Sequence, residues 1–308
     1  MSSQPNELQS FQLAEVETAI AGTQFAGALH HLASTPSTND LAHAAAHAGE
    51  RHGVWIAGEQ TAGRGRGGHR WHSAPGTKDA PAGLYMSALI SPDLSMQSAQ
   101  HLSLSAAIAV QSAVCSVTGF RIREDIDIRW PNDLMFNMPN GRDGTARKVG
   151  GILIEASAQP APSSGPTLLR YAVVGIGINL NHTAFPPELE SIATSLRREA
   201  FTRSVENGTK CLRGEPLAAA ILIALDREIN RLTLDLAPGA WHPSQDFTEL
   251  STWITGKRVR VEARDPTPNG PAPGYTGTTA GLDPNGFLLV NGDDGRLHTV
   301  LSGGLRDP

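Results

Sequence analysis

A chain of 308 residues, of which 40% are hydrophobic and 18% charged, is long enough to bury a sizeable core and suits one large domain with a smaller one. Its net charge of −5 argues against a general nucleic-acid-binding surface, which would be basic. The sequence contains no apolar run approaching the roughly 20 residues of a membrane helix, and its first residues lack the pattern of a secretory signal.

Hydrophobic spacing predicts a mixture of helices and strands up to Gly256. The helices are predicted at residues 38–48, 98–117, 217–232 and 244–254. The strands are predicted at residues 54–57, 84–90, 126–130, 149–156 and 171–179. Because a short stretch rich in proline and serine joins the last two strands, we expect them to be antiparallel neighbours in one sheet.

The pattern changes after Gly256. Short strands are predicted at residues 257–263, 275–281, 287–290 and 297–301. The turn sequences DPNG and NGDDG separate the later strands of this group. Roughly 50 residues of closely spaced strands predict a small β-barrel that follows an α+β core.

The most distinctive stretch is Gly63–Trp71, which reads GRGRGGHRW. Glycine lets the backbone approach a ligand closely, and arginine carries a permanent cation whose planar fork suits phosphate and carboxylate oxygens. The stretch therefore predicts a loop that closes over a phosphate-bearing ligand, although a solvated basic turn is an alternative. The glycine spacing also matches a dinucleotide-binding fingerprint, but the prolines and glycines of residues 75–83 exclude the helix which that motif requires.

Four further segments carry polar side chains at the ends of predicted elements, and each also has an ordinary structural explanation. Residues 37–39 (STN) begin a predicted helix and suit a helix cap, and Gln60 precedes the glycine and arginine stretch as an exposed polar residue would. Residues 130–133 (WPND) lie at the end of a predicted strand, where a turn with asparagine and aspartate is common. Residues 148–155 (KVGGILIE) begin with a lysine, and the two glycines inside this strand indicate a bulky neighbour.

Together and in this order, STN, Gln60 with GRGRGGHRW, WPND, KVGGILIE and GIGIN at residues 175–179 resemble the biotin protein ligases. The resemblance runs from about residue 34 to about residue 200, and the final strands match the family's SH3-like domain by position only. It implies an α+β fold, in which a mixed β-sheet with helices forms a class II synthetase-like core, followed by a small C-terminal SH3-like β-barrel. The implied domains are an N-terminal extension (residues 1–34), a catalytic domain (residues 35–254) and the SH3-like domain (residues 255–308).

The resemblance implies an ATP-dependent ligase that activates biotin to biotinyl-5′-AMP and transfers the biotinyl group to a lysine. The acceptor would be a biotin carboxyl carrier protein or domain, such as that of acetyl-CoA carboxylase. ATP and biotin would be substrates, with Mg²⁺ as the cofactor. We expect no nucleic-acid or membrane partner, and either a monomer or a homodimer. We also expect a cytoplasmic location, because the two cysteines form neither a metal spacing nor a disulfide framework.

The resemblance also assigns roles to individual residues. The catalytic residues would be Lys148, Arg64 and Arg66, whose charges offset the repulsion between the biotin carboxylate and the α-phosphate of ATP. Biotin would be bound by Ser37, Thr38, Asn39, Gln60, Arg64, Gly65, Arg66, Lys148 and Gly151. ATP and Mg²⁺ would be bound by Trp71, Asn132, Asp133 and Asn179, and the sequence leaves the metal ligands themselves unknown.

Three alternatives stay open on the sequence alone. A lipoate or octanoate ligase or transferase shares the fold, although the residues of the GRGRGGHRW and WPND motifs favour biotin as the substrate. A non-catalytic biotin-binding sensor would keep the same pocket. A biotin-sensing repressor would need an N-terminal DNA-binding domain, and with fewer than 40 residues before Ser37 we expect the form without one. Insertions at residues 77–82 and 137–146 lengthen loops and leave the matched residues in place.

Overall fold

The computed structural model describes residues 11–76, 80–138, 146–160, 165–202, 211–234, 242–262, 274–301 and 304–306. The helices are α1 (Leu13–Ala19), α2 (Thr38–His47), α3 (Ala99–Thr118), α4 (Leu196–Thr202), α5 (Gly214–Leu234) and α6 (Pro243–Leu250). The first sheet contains β1 (Leu29–Leu32), β2 (Gly53–Ala57), β3 (Gly83–Ile90), β4 (Ile126–Arg129), β5 (Asp133–Asn137), β6 (Ala146–Ala158) and β7 (Leu169–Asn179). The second sheet contains β8 (Thr255–Glu262), β9 (Tyr275–Leu282), β10 (Leu288–Gly292), β11 (Leu297–Val300) and β12 (Gly304–Arg306).

The first sheet is mixed, as predicted. Its seven strands follow the order β1-β2-β3-β7-β6-β5-β4, in which β1 and β2 are parallel and the other neighbours are antiparallel. The predicted antiparallel pairing of β6 with β7 is confirmed, with Gly151 opposite Gly177. This pairing places the KVGGILIE and GIGIN segments side by side at the centre of the sheet.

Helices cover both faces of the first sheet. Successive residues of a strand point to opposite faces, and on β2 the side chain of Trp55 packs with α2 residues while Val54 and Ile56 belong to the large cluster formed with α3 and α5. The strand β3 is buried along its whole length for the same reason. A closely packed sheet of this kind can hold side chains from several strands in a fixed arrangement.

The helix α3 corrects one expectation drawn from the sequence. By length and composition alone, the segment Met96–Thr118 is apolar enough to cross a membrane, the one such segment among the described residues. The sequence-based estimate missed it because polar residues such as Gln100 and Ser103 interrupt the apolar run. In the structure 67% of the 18-residue window that meets this test is buried, and α3 packs mainly against α5, as the core helix of a globular domain does.

The C-terminal strands form a five-stranded antiparallel sheet in the order β11-β10-β9-β8-β12. This arrangement is compatible with the predicted small barrel. Its β9–β10 turn reaches the first sheet, because Gly286 O accepts a hydrogen bond from Trp130 Nε1 at 3.0 Å. A Cβ at Gly286 would lie 2.9 Å from Leu104, so the close contact requires a residue without a side chain.

The predicted helix at residues 244–254 is too long, because α6 ends at Leu250. Ser251 adopts an extended conformation, and its hydroxyl donates to Ile128 O at 2.6 Å. The backbone N–H of Thr252 donates to Asp127 Oδ1 at 3.1 Å. These hydrogen bonds to β4 satisfy polar groups of residues 251 and 252 that would otherwise bond within a longer helix, so the helix ends before them.

Five elements were not predicted: α1, β1, β5, α4 and β12. The first two lie in the predicted N-terminal extension, where β1 pairs with β2 and α1 packs against α5. This part of the extension is therefore packed into the same core, while the division of the chain into three domains stays a prediction. The insertions predicted at residues 77–82 and 137–146 lie mostly outside the described residues.

Candidate functional site

A cavity of about 580 Å³ lies where α2, the Gly63–Trp71 loop and the strands β5, β6 and β7 meet. Every site residue predicted from the sequence lines it: Ser37, Thr38, Asn39, Gln60, Arg64, Gly65, Arg66, Trp71, Asn132, Asp133, Lys148, Gly151 and Asn179. The fold thus brings together residues that are separated by more than 140 positions in the chain. Its size is typical of a small-molecule site.

One end of the cavity is built from uncharged hydrogen-bonding groups. Gln60 Oε1 accepts hydrogen bonds from the backbone N–H of Thr38 at 2.9 Å and from its hydroxyl at 3.1 Å. Gln60 Nε2 donates to Ser73 Oγ at 3.2 Å, and Ser87 Oγ lies 2.7 Å from Thr38 Oγ1. Because α2 begins at Thr38, its first turn presents these groups to the cavity. Ser37 is buried but its side chain makes no capping bond, so the cap interpretation does not hold for its hydroxyl.

Asn39 is held by contacts on several sides. Its Nδ2 donates to Glu155 Oε2 at 2.7 Å, and its Oδ1 lies 2.6 Å from Ser87 Oγ. A Cβ on Gly175 would overlap the Asn39 amide, so the strand β7 must carry glycine at this position. This close approach explains the first glycine of the GIGIN segment.

The Gly63–Trp71 loop folds back on itself in the manner of a hairpin. The N–H of Gly65 donates to His69 O at 2.7 Å, and that of Trp71 donates to Gly63 O at 2.9 Å. At the tip, Gly67 and Gly68 have φ values of +70° and +78°, a region that favours glycine. Only a short 3₁₀ turn at Arg66–Gly68 forms there, so rejection of the dinucleotide fingerprint is confirmed.

The two loop arginines have different surroundings. Arg64 forms ion pairs with Asp40 of α2 and, at 3.3 Å, with Glu155 of β6, which fasten the loop to both elements. Burial alone would raise the pKa of Glu155, but hydrogen bonding from Asn39 and the nearby Arg64 cation hold that pKa below its ordinary value. Arg66 lies over the ring of Trp130, 5.9 Å from its centre, at the other side of the cavity.

Lys148 forms an ion pair with Asp133, in which Nζ lies 2.5 Å from Oδ1. The other oxygen of Asp133 is 2.9 Å from Arg129 Nη2, so one carboxylate serves two cations. Burial alone would raise the pKa of Asp133, but Lys148 and Arg129 outweigh burial and hold that pKa well below its usual range. Asp133 is therefore charged at neutral pH, and it fixes the position of the Lys148 ammonium.

Trp71 packs across the centre of the sheet. Lys148 Nζ lies 5.3 Å from the centre of its ring. A Cβ on Gly177 would lie 2.7 Å from the indole, and one on Gly151 would lie 3.2 Å from it. The bulky neighbour predicted for the KVGGILIE strand is thus Trp71 for Gly151, while Gly150 faces Ile178.

Asn132 and Asn179 have fixed orientations. Asn132 Nδ2 donates to Ile152 O at 2.5 Å, and Asn179 Nδ2 donates to Thr194 O at 3.0 Å. Each amide oxygen is then the only side-chain atom that can act as a metal ligand. Within the described residues, no group of three histidine, cysteine, aspartate or glutamate side chains could hold a metal ion.

Several residues of the cavity were not predicted. The polar ones include Ser73, Ser87, Arg129 and Glu155, which line the cavity or bond directly to its lining. The apolar ones include Phe185, Leu189, Ile192 and Ala193, and the C-terminal sheet adds Glu262, Gly304, Leu305 and Arg306. Arg129 was detectable as a cation inside a short apolar strand next to WPND. The contribution of the C-terminal sheet had no local signal, because it depends on how distant segments pack.

The chain is similar to known proteins over most of its length. A model of the biotin/lipoate A/B protein ligase family matches residues 31–179. The bifunctional ligase/repressor BirA of Bacillus spizizenii is 31% identical over 262 residues, which cover 84% of this chain and 68% of that protein. The biotin--[acetyl-CoA-carboxylase] ligase of Mycobacterium tuberculosis is 36% identical over 276 residues, covering 89% of this chain and 86% of that protein.

Solved structures show the same fold. The biotin protein ligase of Aquifex aeolicus in complex with biotin and ATP superposes with a TM-score of 0.63 at 22% identity, covering 91% of this chain and 98% of that one. The biotin protein ligase of Leishmania major in complex with biotinyl-5-AMP superposes with a TM-score of 0.54 at 25% identity, covering 90% of this chain and 99% of that one.

Proposed function

Because the chain belongs to the biotin protein ligase family, we propose that its cavity performs the reaction of that family. The protein is an ATP-dependent ligase that converts biotin and ATP to biotinyl-5′-AMP and pyrophosphate, and transfers the biotinyl group to a lysine of an acceptor protein. The observation that carries the proposal is that Arg64, Arg66 and Lys148 line the same cavity as the uncharged hydrogen-bonding groups of Gln60 and of the first turn of α2. A small molecule with a neutral polar head and an anionic tail suits this arrangement.

Biotin suits a cavity lined by both uncharged polar groups and cations. Its neutral ureido ring needs hydrogen-bond donors and acceptors, and Ser37, Thr38, Asn39 and Gln60 are proposed to supply both. Gly65 adds no side chain to the cavity wall, and Gly151 gives its space to the Trp71 indole, which would form a wall for the apolar body. The carboxylate tail would then extend toward Arg64, Arg66 and Lys148.

The first step joins two anions. A carboxylate oxygen of biotin attacks the α-phosphorus of ATP, the bond to the bridging oxygen breaks, and pyrophosphate leaves with that oxygen. Lys148, held in place by Asp133, offsets the repulsion between the two anions and the charge that develops on the phosphoryl oxygens. Arg64 and Arg66 are proposed to add fork-shaped contacts from the loop.

The nucleotide is proposed to bind beside Trp71, Asn132, Asp133 and Asn179. The fixed amide oxygens of Asn132 and Asn179 fit a Mg²⁺ ion that takes most of its ligands from phosphates and water. When bound, such an ion neutralises phosphate charge.

The second step requires positioning and exclusion of water. The neutral amine of the acceptor lysine attacks the acyl carbon of the mixed anhydride, an amide forms, AMP leaves, and the amine gives up a proton. The Gly63–Trp71 loop is proposed to cover the adenylate until the acceptor arrives, because free water would hydrolyse it. Its glycine tip and its arginines suit a segment that closes on an anion.

The acceptor is proposed to be a biotin carboxyl carrier protein or domain, as the name of the Mycobacterium tuberculosis relative suggests. A cytoplasmic location is proposed because Cys115 and Cys211 are both free thiols. Both a monomer and a homodimer are compatible with the fold, and light scattering of the purified protein distinguishes them.

The test is to supply the protein with ATP, Mg²⁺ and either biotin or lipoate and to identify the adenylate by mass spectrometry. Biotinyl-5′-AMP is the expected product. Lipoyl-AMP in its place would move the protein to the lipoate ligases. Tight biotin binding without any adenylate would identify a sensor that has lost catalysis.

A further inference from the structure

The cavity wall around Asp133 holds more positive than negative charge. Lys148 and Arg129 both pair with this one carboxylate, and in the part of the chain that the structure describes neither has a second carboxylate within ion-pairing distance. Arg129 is buried, and taking a cation out of water is costly unless an anion accompanies it. One positive charge on this wall is therefore available for an anionic ligand.

Arg129 and Lys148 contact different oxygens of the Asp133 carboxylate. Lys148 contacts Oδ1 and lies over Trp71, near the loop and the centre of the sheet. Arg129 contacts Oδ2 and lies over Trp253, 5.5 Å from its ring centre, in the segment that leads to the C-terminal sheet. Both side chains line the cavity. If Lys148 stands at the junction of carboxylate and α-phosphate, Arg129 stands next to that junction on the side of the C-terminal segment.

Trp253 is built into this position. It is 1% exposed, and Lys257 lies over its ring at 4.6 Å from the centre, so the indole sits between two cations. The residues before it are fastened to β4, since Ser251 Oγ donates to Ile128 O at 2.6 Å. The guanidinium of Arg129 is therefore held by a carboxylate and by an indole that the C-terminal segment supplies.

We propose that Arg129 binds the pyrophosphate part of ATP and that Trp253 is a positioning residue that holds it there. The inference rests on the proposed function, because it takes Lys148 as the cation at the α-phosphate. A guanidinium presents paired donors that match two phosphate oxygens, and it keeps its charge at any physiological pH. The C-terminal part of the chain would thus contribute to the chemistry by orienting a phosphate ligand of the first sheet.

The experiment measures adenylate formation at varied ATP and biotin, inhibition by inorganic pyrophosphate, and transfer from chemically prepared biotinyl-5′-AMP to an acceptor domain. We expect Arg129→Gln to raise the KM for ATP and the inhibition constant of pyrophosphate by about tenfold or more, the loss of one charge-assisted contact. The KM for biotin and the transfer rate should stay within about twofold. Arg129→Lys should give intermediate values of the KM for ATP and of the pyrophosphate inhibition constant, because an ammonium lacks the paired donors of a guanidinium.

Trp253→Leu should shift the same two constants in the same direction, and Trp253→Phe should restore them in part because a ring still covers the guanidinium. Arg258→Gln is the matched control, since this arginine pairs with Asp293 on the C-terminal sheet and lies outside the cavity lining. Melting curves check that each variant folds.

An unchanged KM for ATP and unchanged pyrophosphate inhibition in a folded Arg129→Gln variant would overturn the proposal and leave Arg129 as a structural partner of Asp133. A shift with Arg129→Gln but none with folded Trp253→Leu would overturn the positioning role. Failure of the wild-type protein to form any adenylate would instead contradict the proposed function, so the two failures are distinguishable.

Discussion

Lys148 illustrates how a single residue acquires a function from its neighbours. The side chain is only partly buried, and an exposed lysine would sample many rotamers. The ion pair with Asp133 at 2.5 Å and the Trp71 ring at 5.3 Å restrict it to one position in the cavity. The resemblance assigned Lys148 to catalysis and Asp133 to ATP and Mg²⁺ but did not indicate that they pair, because an ion pair between two strands leaves no mark in a linear pattern.

Replacing Lys148 with alanine should reduce the rate of biotinyl-5′-AMP formation by about 100-fold or more, the usual effect of removing one preorganised charge at a developing anion. Biotin binding through Gln60 and the first turn of α2 should persist. Rapid-quench measurement of the adenylate and calorimetry with biotin test the two expectations. Adenylate formation within about threefold of wild type would contradict the role of this cation.

Replacing Gly175 with alanine should displace Asn39, because the added Cβ would overlap its amide. We expect a loss of about 1 to 3 kcal/mol in stability and at least a tenfold weaker affinity for biotin. Gly22→Ala is the control, since a Cβ there has nothing within 4 Å and the residue is not left-handed. Equal biotin affinity in the two variants would show that Asn39 does not depend on this close approach.

The Gly63–Trp71 loop combines charged side chains with glycines that permit a sharp turn. Ion pairs of Arg64 tie the loop to α2 and β6, while the left-handed glycines at its tip allow a sharp turn. Composition alone predicted a loop that closes on an anion. The Asp40 and Glu155 partners could not be predicted, because these residues are distant from the loop in the sequence and only the fold brings them close.

Replacing Gly67 with alanine should strain the tip of the loop, since its φ of +70° costs an L-residue roughly 1 kcal/mol. The strain should shorten the lifetime of biotinyl-5′-AMP on the enzyme while leaving the melting temperature nearly unchanged. Release of the adenylate into a filtrate, followed over time, measures this lifetime. A lifetime equal to that of wild type would indicate that the tip does not take part in closure.

The success of prediction for the other elements depended on how much of each element is determined locally. The strands β3, β6 and β7 and the helix α3 are long and apolar, and their patterns were sufficient. The end of α6 was missed because bonds from residues 251 and 252 to β4 decide it. The strand β5 was missed because it is short and follows the WPND turn directly, so no loop separates it from β4.

At the scale of the whole molecule, the cavity is shared by the two sheets. Trp130 Nε1 donates to Gly286 O, and Trp253 stacks on Arg129, so two consecutive residues of the WPND region contact the C-terminal part. The sequence predicted the barrel's existence by its turns but could not indicate this contact. The order of the motifs predicted the set of cavity residues because the family resemblance carries information about the fold.

Stability of the whole molecule should fall in mild acid because of His182. Burial and the neighbouring His72 lower the pKa of His182 to about 4, from an ordinary 6.5. Between these two values the unfolded chain binds a proton that the folded protein does not, so stability present above pH 6.5 is lost as the pH falls toward 4. The loss should be a few kcal/mol at most.

Urea unfolding of the wild type and of His182→Phe at several pH values tests this expectation. Phenylalanine retains the stacking on Phe185, whose ring centre lies 5.0 Å from that of His182, but it does not titrate. The wild type should lose stability relative to the variant as the pH falls. If the free energy of unfolding changes equally with pH in the wild type and in the variant, His182 titrates normally in the folded protein.

We propose that biotin is activated with ATP and transferred to an acceptor lysine in one and the same cavity. The most direct test incubates the protein with ATP, Mg²⁺, biotin and a purified biotin carboxyl carrier domain, and then measures the intact mass of the acceptor. We expect the mass of one biotinyl group to be added, and we expect no addition when the acceptor lysine is replaced by arginine or when lipoate replaces biotin. An unmodified acceptor with wild-type protein, or equal modification by lipoate, would contradict it.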